Sequence, residues 1–317
     1  PVDIRRFGPP HADVDWVRKR TLEMYGKHYT IAWPSEEHQS GRPLRRSPLY
    51  DRLKNQGAVF GEKLGWERPN WFAFDVEPQH DVYDMARGNW FAAVKREHLA
   101  ARERVALFDQ TSFAKFRMIG RDACKALDWI CANDINKPIG SLIYTQMLNE
   151  RGGIECDLTV VRVAENDFYI VTGTGFATHD FDWISKHIPE GLDAHLLNVT
   201  SSNAVLTLMG PKARDMLQMV TRDDLSNASF PFGQARQISV AGTSVLAMRV
   251  TYVGELGWEL HFPSECAATV YDALMQAGEP FGIANAGYRA IETLRLEKGY
   301  RAWGSDIGPD HTPLEAG

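Results

Sequence analysis

The chain has 317 residues, of which 44% are hydrophobic and 24% are charged, so it has the composition of an ordinary globular protein. A disordered segment and a coiled coil are excluded. Its 35 Lys and Arg residues against 41 Asp and Glu give a net charge of −6, which argues against nucleic acid as a partner. No apolar run approaches the roughly 18 residues of a membrane span, so we expect no membrane partner.

Aromatic residues make up 11% of the chain, and composition leaves open whether they fill the core or stack on a flat ligand. The four cysteines show no CxxC pair and the ten histidines no HxH or HExxH spacing, so no metal site is predicted. So few cysteines predict an intracellular chain, in the cytoplasm or, in a eukaryote, the mitochondrial matrix. The chain begins PVDIRRFGPP and stops at TPLEAG, and we expect both ends to be cuts in a longer polypeptide.

The first third of the chain predicts helices joined by irregular segments. Residues 12–30 carry apolar residues near helical spacing and predict a helix, and the polar residues 35–48 predict a loop or linker. Pro48 can start a short helix. Residues 65–74, GWERPNWFAF, gather aromatic side chains around a proline and predict an irregular apolar segment. A charged helix is predicted over residues 89–107.

The rest of the chain alternates strands and helices in two blocks of similar order. The predicted strands are KFRMIG, SLIYTQML, DLTVVRVA, DFYIVTG, residues 194–199, NAVLTLMG, ARQISVAG, TSVLAMRVTYV and GWELHF. The predicted helices cover residues 121–132, 177–187, 211–220, 264–278 with Ser264 as cap, and 287–298. Tight turns at NERGG, ENDF and AGT imply hairpins. The predicted class is therefore α+β, with mostly antiparallel sheets and flanking helices.

One segment imitates a nucleotide-binding loop. VTGTGFAT, residues 171–178, follows a strand and precedes a helix, but Thr178 stands where a third glycine would be. The preceding elements form a hairpin rather than a βαβ unit. We therefore predict a plain strand-to-helix turn, and the chain has neither a GxxxxGK[ST] loop nor a GxSxG elbow.

Two acidic segments are better candidates for a site. Asp157 begins an apolar strand directly after Gly152 and Gly153, either as a solvated edge residue or as a carboxylate at the mouth of a pocket. In TYVGELGWEL, Tyr252 and Glu259 flank a glycine-bent stretch and could frame a planar heterocycle. A carboxylate accepts two parallel N–H bonds from an amino-pyrimidinone edge. A decorated β-turn is the alternative.

Four separated segments resemble a known family. They are SPLYDRLKNQGAVFGEKLGWERPNWF, NERGGIECDLTV, YVGELGWEL and NAGYRAIETLRLEKGYRAWGSDIGPDHTPLEAG. In this order they resemble the C-terminal, tetrahydrofolate-binding half of the sarcosine and dimethylglycine dehydrogenase family, which is related to the glycine-cleavage T-protein (aminomethyltransferase). The resemblance implies an aminomethyltransferase-like folate-binding fold of two interleaved subdomains without the family's C-terminal barrel. It implies a helical arm over residues 1–45 after a missing FAD domain, a folate-binding domain over 46–317, and an inserted subdomain at about 111–199.

The resemblance also assigns roles to single residues. The family's aspartate after the Gly-Gly hairpin lies beside the reactive folate nitrogens, which makes Asp157 the catalytic candidate. The tyrosine and last glutamate of the Y-x-G-E-x-G-x-E segment hold the pterin and match Tyr252 and Glu259. Tyr144 matches a tyrosine that lines the pocket. We expect Tyr144, Tyr252 and Trp258 to be the rings near a pterin.

The chain departs from the family pattern at two places. The position before Asp157, often a second acid, is Cys156. The Arg-Asp pair that T-proteins carry before the arginine of LRLE is replaced by residues 291–292, Ile-Glu. Arg289 lies two residues earlier and is a further folate-binding candidate.

The implied function is capture of a one-carbon unit, released from an N-methyl amine such as sarcosine or dimethylglycine, on tetrahydrofolate to give 5,10-methylenetetrahydrofolate. The implied partners are folate, that one-carbon unit and the FAD domain of the same polypeptide. FAD is expected only on the missing domain, because the chain lacks a flavin fingerprint. Asp157 would contribute general acid–base help worth roughly 10²–10⁴ in rate.

Three alternatives remain. One is a free-standing aminomethyltransferase working with a lipoyl carrier, against which residues 1–45 and the GYRxW stretch argue. Another is a folate-dependent demethylase that makes 5-methyltetrahydrofolate without flavin. The third is a non-catalytic folate-binding accessory protein of iron–sulfur assembly, a group with a cysteine after its KG pair where this chain reads KGYRAW.

Overall fold

The structure, a computed structural model, describes residues 7–317 and is built from short helices around two large β-sheets. The helices are α1 (Val14–Gly26), α2 (Tyr50–Asn55), α3 (Phe91–Glu103), α4 (Ala123–Ile130), α5 (Ala177–His187), α6 (Ala213–Gln218), α7 (Ala267–Gly278), α8 (Tyr288–Glu297) and α9 (Pro313–Ala316). The strands are β1 (Ala58–Lys63), β2 (Trp66–Phe72), β3 (Val105–Asp109), β4 (Ala114–Ile119), β5 (Leu142–Leu148), β6 (Ile154–Ala164), β7 (Asp167–Thr172), β8 (His195–Asn198), β9 (Asn203–Met209), β10 (Ala235–Val240), β11 (Thr243–Met248), β12 (Gly257–Pro263) and β13 (Ile283–Asn285).

The strands form two large sheets and one hairpin. Sheet 1 has the order β10-β11-β12-β9-β3-β13, and sheet 2 has the order β5-β6-β7-β4-β8. Only the β13–β3 pair of sheet 1 is parallel, and every pair of sheet 2 is antiparallel. All five strands of sheet 2 come from one stretch, residues 114–198. The arrangement confirms the predicted α+β class.

Each large sheet has its own apolar core, and a smaller apolar cluster joins the two sheets. Side chains of β9, β12, α6 and α7 form the core of sheet 1, and α4 and α5 cover one face of sheet 2. On the other face of sheet 2, Val161, Tyr169 and Val171 pack against Ala235 and Met248 of sheet 1. We call these five residues the inter-sheet contact.

The predicted hairpins are confirmed. β5–β6, β6–β7 and β10–β11 are antiparallel neighbours joined by the NERGG, ENDF and AGT turns. In the AGT turn Ala241 and Gly242 have φ angles of 49° and 79°, as the right-handed twist of a two-residue hairpin requires. The segment VTGTGFAT leads from β7 into α5, as predicted.

The prediction of an irregular segment at residues 65–74 is wrong, because most of these residues form β2. This strand pairs antiparallel with β1, and the register shifts where Phe60 faces Pro69. A two-stranded ribbon has free edges, so it tolerates a proline that an inner strand would exclude. Trp66 and Trp71 are both buried, so these two rings belong to the core.

Two helix boundaries also differ from the prediction. The helix predicted to continue to residue 107 ends at Glu103, and the fully apolar stretch that follows becomes β3, buried in sheet 1. Ser264 does not cap the helix that follows it, because its hydroxyl donates to the carbonyl of Ser201, 2.8 Å away. The α-helix starts at Ala267, after a 3₁₀ turn.

Residues 7–45, the described part of the arm, lie against the β1–β2 hairpin through charged contacts. Arg20 of α1 is buried and pairs with Glu62 at 3.1 Å. Arg42 pairs with the buried Glu67 at 2.6 Å. Glu37 accepts the backbone N–H of Glu62 at 2.8 Å. No helix within residues 7–317 is both long and apolar enough to cross a membrane.

Replacing Leu206 by Ala should lower the free energy of unfolding by about 2–5 kcal/mol, because a fully buried leucine of the central strand β9 leaves a cavity. Leu296→Ala is the matched control, since this leucine of α8 is 56% exposed, and its effect should be small. Urea unfolding of both variants measures the difference. Equal losses would show that the core of sheet 1 is not where the structure has it.

Candidate functional site

Asp157 lies on β6 directly opposite Gln146 of β5. The Gln146 amide donates to the Asp157 carboxylate at 3.2 Å, and the Tyr144 hydroxyl donates to the same carboxylate. Alternation along β5 brings both donors to one face, because Tyr144 and Gln146 are two residues apart. Asp157 is therefore a largely enclosed carboxylate with two side-chain donors, and not the solvated edge residue that the sequence left open.

The surroundings favour the protonated form of Asp157. Burial raises the pKa of the Asp157 carboxyl, and the hydrogen bonds from Tyr144 and Gln146 oppose this only in part. Partial burial, together with the Asp157 charge, raises the pKa of Tyr144 as well. A carboxyl whose pKa is raised above its usual value by burial is a candidate for proton exchange with a ligand.

Tyr252 faces this group from the loop between β11 and β12. Its hydroxyl donates to the carbonyl of Arg301 at 3.0 Å, and its ring stacks on that of Tyr300 with 6.1 Å between centroids. Burial raises the pKa of Tyr252 to about 12, with a contribution from the Asp157 charge. Three of the predicted site residues thus come together. We call Tyr144, Gln146, Asp157 and Tyr252 the Asp157 cluster.

Glu259 lies in a second polar cluster. Its carboxylate is 3.4 Å from Nε2 of the buried His261, and Nδ1 of that histidine is 3.1 Å from the Tyr169 hydroxyl. Burial lowers the pKa of His261. These three residues, the Glu259 cluster, carry a carboxylate that still reaches the surface with 12% of its side chain exposed. Among the contacts of residues 7–317, none joins Glu259 directly to Asp157.

The inter-sheet contact relates the two clusters. Tyr169 belongs to this contact and pairs across the strands with Val161, which lies four residues after Asp157 on the same face of β6. Glu259 pairs with Met248, another member of the contact. Four residues of strand correspond to about 13 Å. Asp157 therefore lies about 13 Å along β6 from the inter-sheet contact, whose Met248 pairs with Glu259.

Arg289 lies in different surroundings. Its guanidinium pairs with Asp81 at 2.7 Å and covers the Trp90 ring, 3.5 Å from the ring centroid. No described contact connects it with the Asp157 or Glu259 cluster. Its assignment as a folate-binding residue stays a prediction.

Trp258 does not face a ligand. Its side chain is fully buried in the core of sheet 1 and packs edge-on against Phe230. The expectation that this ring frames a pterin is wrong. Strand alternation explains the outcome, because Trp258 and Glu259 are neighbours on β12 and must point to opposite faces.

A bulge and a buried hydrogen-bond network support the start of β6. Met147 pairs with Cys156 and Leu148 with Ile154, so Glu155 is an extra residue on β6. Glu155 approaches Nε2 of His179 at 3.6 Å, and Nδ1 of His179 is 2.9 Å from Asp180. Bulges are common next to active sites, where they redirect a side chain.

The same network contains residue types that bind metals. Cys156, His179 and Asp180 bring potential ligand atoms within 4.8 Å of one another. Asp180 already accepts the hydroxyl of Thr172 at 2.6 Å and a hydrogen bond from Cys156, while burial keeps the pKa of the Cys156 thiol well above its usual range. These hydrogen bonds satisfy the group without an ion. We interpret it as structural support for the Asp157 hairpin.

The C-terminal segment, residues 299–317, lies across this hairpin. A Cβ on Gly153 would be 1.8 Å from the carbonyl oxygen of Pro309, so only glycine allows the approach. The indole of Trp303 donates to the carbonyl of Ile154 at 2.7 Å, and the amide of Ile154 donates to His311 at 3.0 Å. These contacts with the C-terminal segment hold the start of the strand that carries Asp157 in place.

Sequence reasoning missed three members of the clusters, Tyr169 and two that a strand pattern could have found. Gln146 lies two residues after Tyr144, and His261 lies two residues after Glu259. The signal was the period of two along a strand, which places each of them on the same face as a residue already singled out.

Two protein-family models match this chain. Residues 49–317 match the GCVT N-terminal domain family, and residues 1–47 match the FAD dependent oxidoreductase central domain. The chain belongs to the GCVT N-terminal domain family. The resemblance seen in the sequence is thus confirmed.

The similar proteins in this family are longer than this chain. The chain is 40% identical to mouse sarcosine dehydrogenase, 38% to human dimethylglycine dehydrogenase and 35% to the mouse pyruvate dehydrogenase phosphatase regulatory subunit. These alignments cover 99%, 100% and 100% of this chain but 38%, 36% and 37% of the relatives. The chain spans less than two fifths of their length.

A solved structure confirms the predicted aminomethyltransferase-like fold. The glycine cleavage system aminomethyltransferase T from Bartonella henselae superposes with a TM-score of 0.71 at 29% identity. The match covers 86% of this chain and 67% of that protein. The five-stranded and six-stranded sheets of this GCVT-family chain therefore belong to a known enzyme architecture.

The raised pKa of Asp157 predicts a pH-dependent cost in stability. A carboxyl whose pKa is higher in the folded than in the unfolded state favours folding when protonated, and this contribution is lost as the pH rises from about 3.9 through the folded pKa. Asp157→Asn should therefore unfold at a higher temperature than the unsubstituted protein at pH 7. The gain should disappear near pH 4.

Thermal unfolding between pH 4 and pH 8 measures this effect. The matched control is Asp51→Asn, because the Asp51 side chain is 86% exposed, and its curve should run parallel to that of the unsubstituted protein. A stability difference for Asp157→Asn that does not vary with pH would contradict the environment described for this carboxyl.

Proposed function

We propose that this chain is the folate-binding part of an FAD-dependent N-methyl amine dehydrogenase and captures the released one-carbon unit on tetrahydrofolate as 5,10-methylenetetrahydrofolate. The observation that carries the proposal is the enclosed Asp157 carboxyl, hydrogen-bonded by Tyr144 and Gln146 with its pKa raised by burial. Family membership and the names of the sarcosine and dimethylglycine dehydrogenase relatives support it.

The chemistry of the two clusters fits a reduced folate. The Glu259 carboxylate is a matching acceptor for the paired N–H groups of an amino-pyrimidinone edge. Tyr252 supplies a flat ring beside Asp157, and Tyr144, 54% exposed, supplies another at the opening. In this proposal an extended ligand places its polar edge at the Glu259 cluster and its reacting atoms at the Asp157 cluster.

The residues of the Asp157 cluster would manage a proton. Tetrahydrofolate supplies two neighbouring nucleophilic nitrogens when bound. In this proposal the one-carbon unit arrives as the iminium that oxidation of the N-methyl amine forms. The Asp157 carboxylate would accept a proton as a folate nitrogen forms its bond to the carbon, and the protonated acid would return that proton to the amine as its bond to the carbon breaks. Tyr144 and Gln146 hold the carboxylate in one orientation throughout, and Tyr252 closes the side of the cluster nearest the C-terminal segment.

The oxidation that releases the one-carbon unit belongs, in this proposal, to an FAD domain of the same polypeptide. The match of residues 1–47 to the FAD dependent oxidoreductase central domain supports this division. We propose an arm over residues 1–45, a folate-binding domain over 46–317 and an inserted subdomain at about 111–199. The relatives' names include mitochondrial enzymes, which supports the matrix as the location in a eukaryote.

Substituting the two carboxylates one at a time should separate the effect on folate binding from the effect on the rate of methylene capture. Glu259→Gln should weaken binding of folinic acid about tenfold or more, because hydrogen bonds to a charged group contribute about 1.5–3 kcal/mol. Asp157→Asn should bind folinic acid nearly as well as the unsubstituted protein but slow methylene capture in the intact enzyme by about 10²–10⁴. Isothermal calorimetry measures the first effect and the rate of 5,10-methylenetetrahydrofolate formation the second.

Glu255→Gln is the control for both assays. Glu255 lies in the same Y-x-G-E-x-G-x-E segment, but its carboxylate pairs with Arg102 at 2.9 Å, away from the two clusters. It should leave affinity and capture unchanged. If Glu259→Gln and Asp157→Asn behave like this control, the site is not where we place it.

A non-catalytic role is the second candidate, because one relative of equal coverage is named a regulatory subunit of a phosphatase. Flavin absorbance near 450 nm and its bleaching by sarcosine, dimethylglycine or another N-methyl amine distinguish the two. A polypeptide that binds folinic acid but bleaches with no amine supports the accessory role.

A further inference from the structure

Helix α1 turns a charged side towards the body of the protein and an apolar side outward. At 100° per residue, Trp16, Arg20 and Glu23 lie within an arc of about 60°. These side chains face the β1–β2 hairpin and the rest of the arm: Arg20 pairs with Glu62, and Glu23 accepts the backbone amides of Gln39 and Ser40 at 2.9 and 2.7 Å.

The opposite side of α1 is apolar and exposed. Val14, Val17, Leu22, Met24 and Tyr25 lie within an arc of about 160° centred opposite the charged face. Tyr25 is 80% exposed, and the other four are exposed as well. Arg18 and Thr21 share this arc, and the long aliphatic stem of an arginine is compatible with apolar surroundings.

The apolar surface continues beyond the helix. Tyr29 and Ile31 follow α1 and are exposed at 95% and 97%. Proteins that stand alone rarely expose contiguous apolar patches larger than a few hundred Å². A helix that turns Arg20 and Glu23 towards the body of the protein and exposes its apolar residues is a helix whose second packing partner lies elsewhere. We call these seven residues, Val14, Val17, Leu22, Met24, Tyr25, Tyr29 and Ile31, the outer face.

We propose that the outer face is the docking surface for the remainder of an FAD-dependent oxidoreductase domain, which covers it with an apolar surface. The proposal rests on the proposed function. The arm is matched by the central domain of such oxidoreductases, whereas the β-sheets it touches with its charged face are matched by the GCVT domain. A segment normally buries its apolar face in the core of its own domain.

This arrangement assigns the arm two interfaces of different character. The charged interface towards the β1–β2 hairpin is formed in the structure, where Arg20 is only 6% exposed and pairs with Glu62. The apolar interface requires the other domain. The arm would then couple the flavin and folate domains as one packed layer shared by both, and not as a loose tether.

Hydroxyl-radical footprinting of the 317-residue chain and of the intact flavin-loaded enzyme tests the proposal. Met24 and Tyr25 should be labelled strongly in the chain and lose most of their labelling in the intact enzyme. Met219, an equally reactive residue that is 69% exposed at the end of α6, is the internal control and should be labelled equally in both. Equal labelling of Met24 and Tyr25 in both proteins would overturn the proposal.

A charge-introducing variant gives an independent readout. Leu22→Asp combined with Tyr25→Asp should lower the temperature of flavin release from the intact enzyme and leave its folinic acid affinity unchanged. Met219→Asp should change neither. An unchanged flavin-release temperature in the double variant would contradict the proposal.

Two further outcomes separate this proposal from its rivals. If the chain alone forms a dimer in sedimentation velocity and the double variant is a monomer, the occupant is a second copy and the proposal is wrong. If the intact polypeptide carries no flavin, the proposed function itself fails. A flavin-loaded enzyme with an exposed outer face refutes only the docking.

Discussion

The face-to-face packing of the two large sheets is the constraint on which the candidate site depends. Tyr169 belongs at once to the inter-sheet contact and to the Glu259 cluster, through its bond to His261. Asp157 lies on the strand that supplies Val161 to the same contact. Asp157 and Glu259 are therefore both carried by strand backbone, which is stiffer and more precise than a loop.

Burial of the Asp157 carboxyl lowers the stability of the folded protein, and the surrounding structure holds the carboxyl in place. A bulge, a buried network around Asp180 and the C-terminal segment all converge on the few residues before Asp157. None of these groups needs to contact a ligand. Together they hold the Asp157 strand in one position. The carboxyl therefore stays in the surroundings that raise its pKa.

Much of the fold and part of the site could be predicted from the sequence, for identifiable reasons. The NERGG and ENDF turns correctly predicted the hairpins of sheet 2, and Asp157, Tyr144 and Tyr252 lie close together. Short apolar runs were ambiguous: β3 follows α3 almost without a break, and Pro69 concealed β2. The ion pair of Arg289 with Asp81 joins residues 208 positions apart, a contact no local pattern encodes.

The charged interface of the arm has a consequence for how this polypeptide can be divided. The two family matches meet at residues 47–49, which invites a cut there. Such a fragment would lose Arg20 and Arg42 and keep Glu62 and Glu67, two carboxylates with side chains 10% and 3% exposed. Carboxylates left unpaired in such positions are costly. The boundary between the two family matches and the packing boundary of the GCVT domain are therefore different places, with the arm packed on the GCVT side.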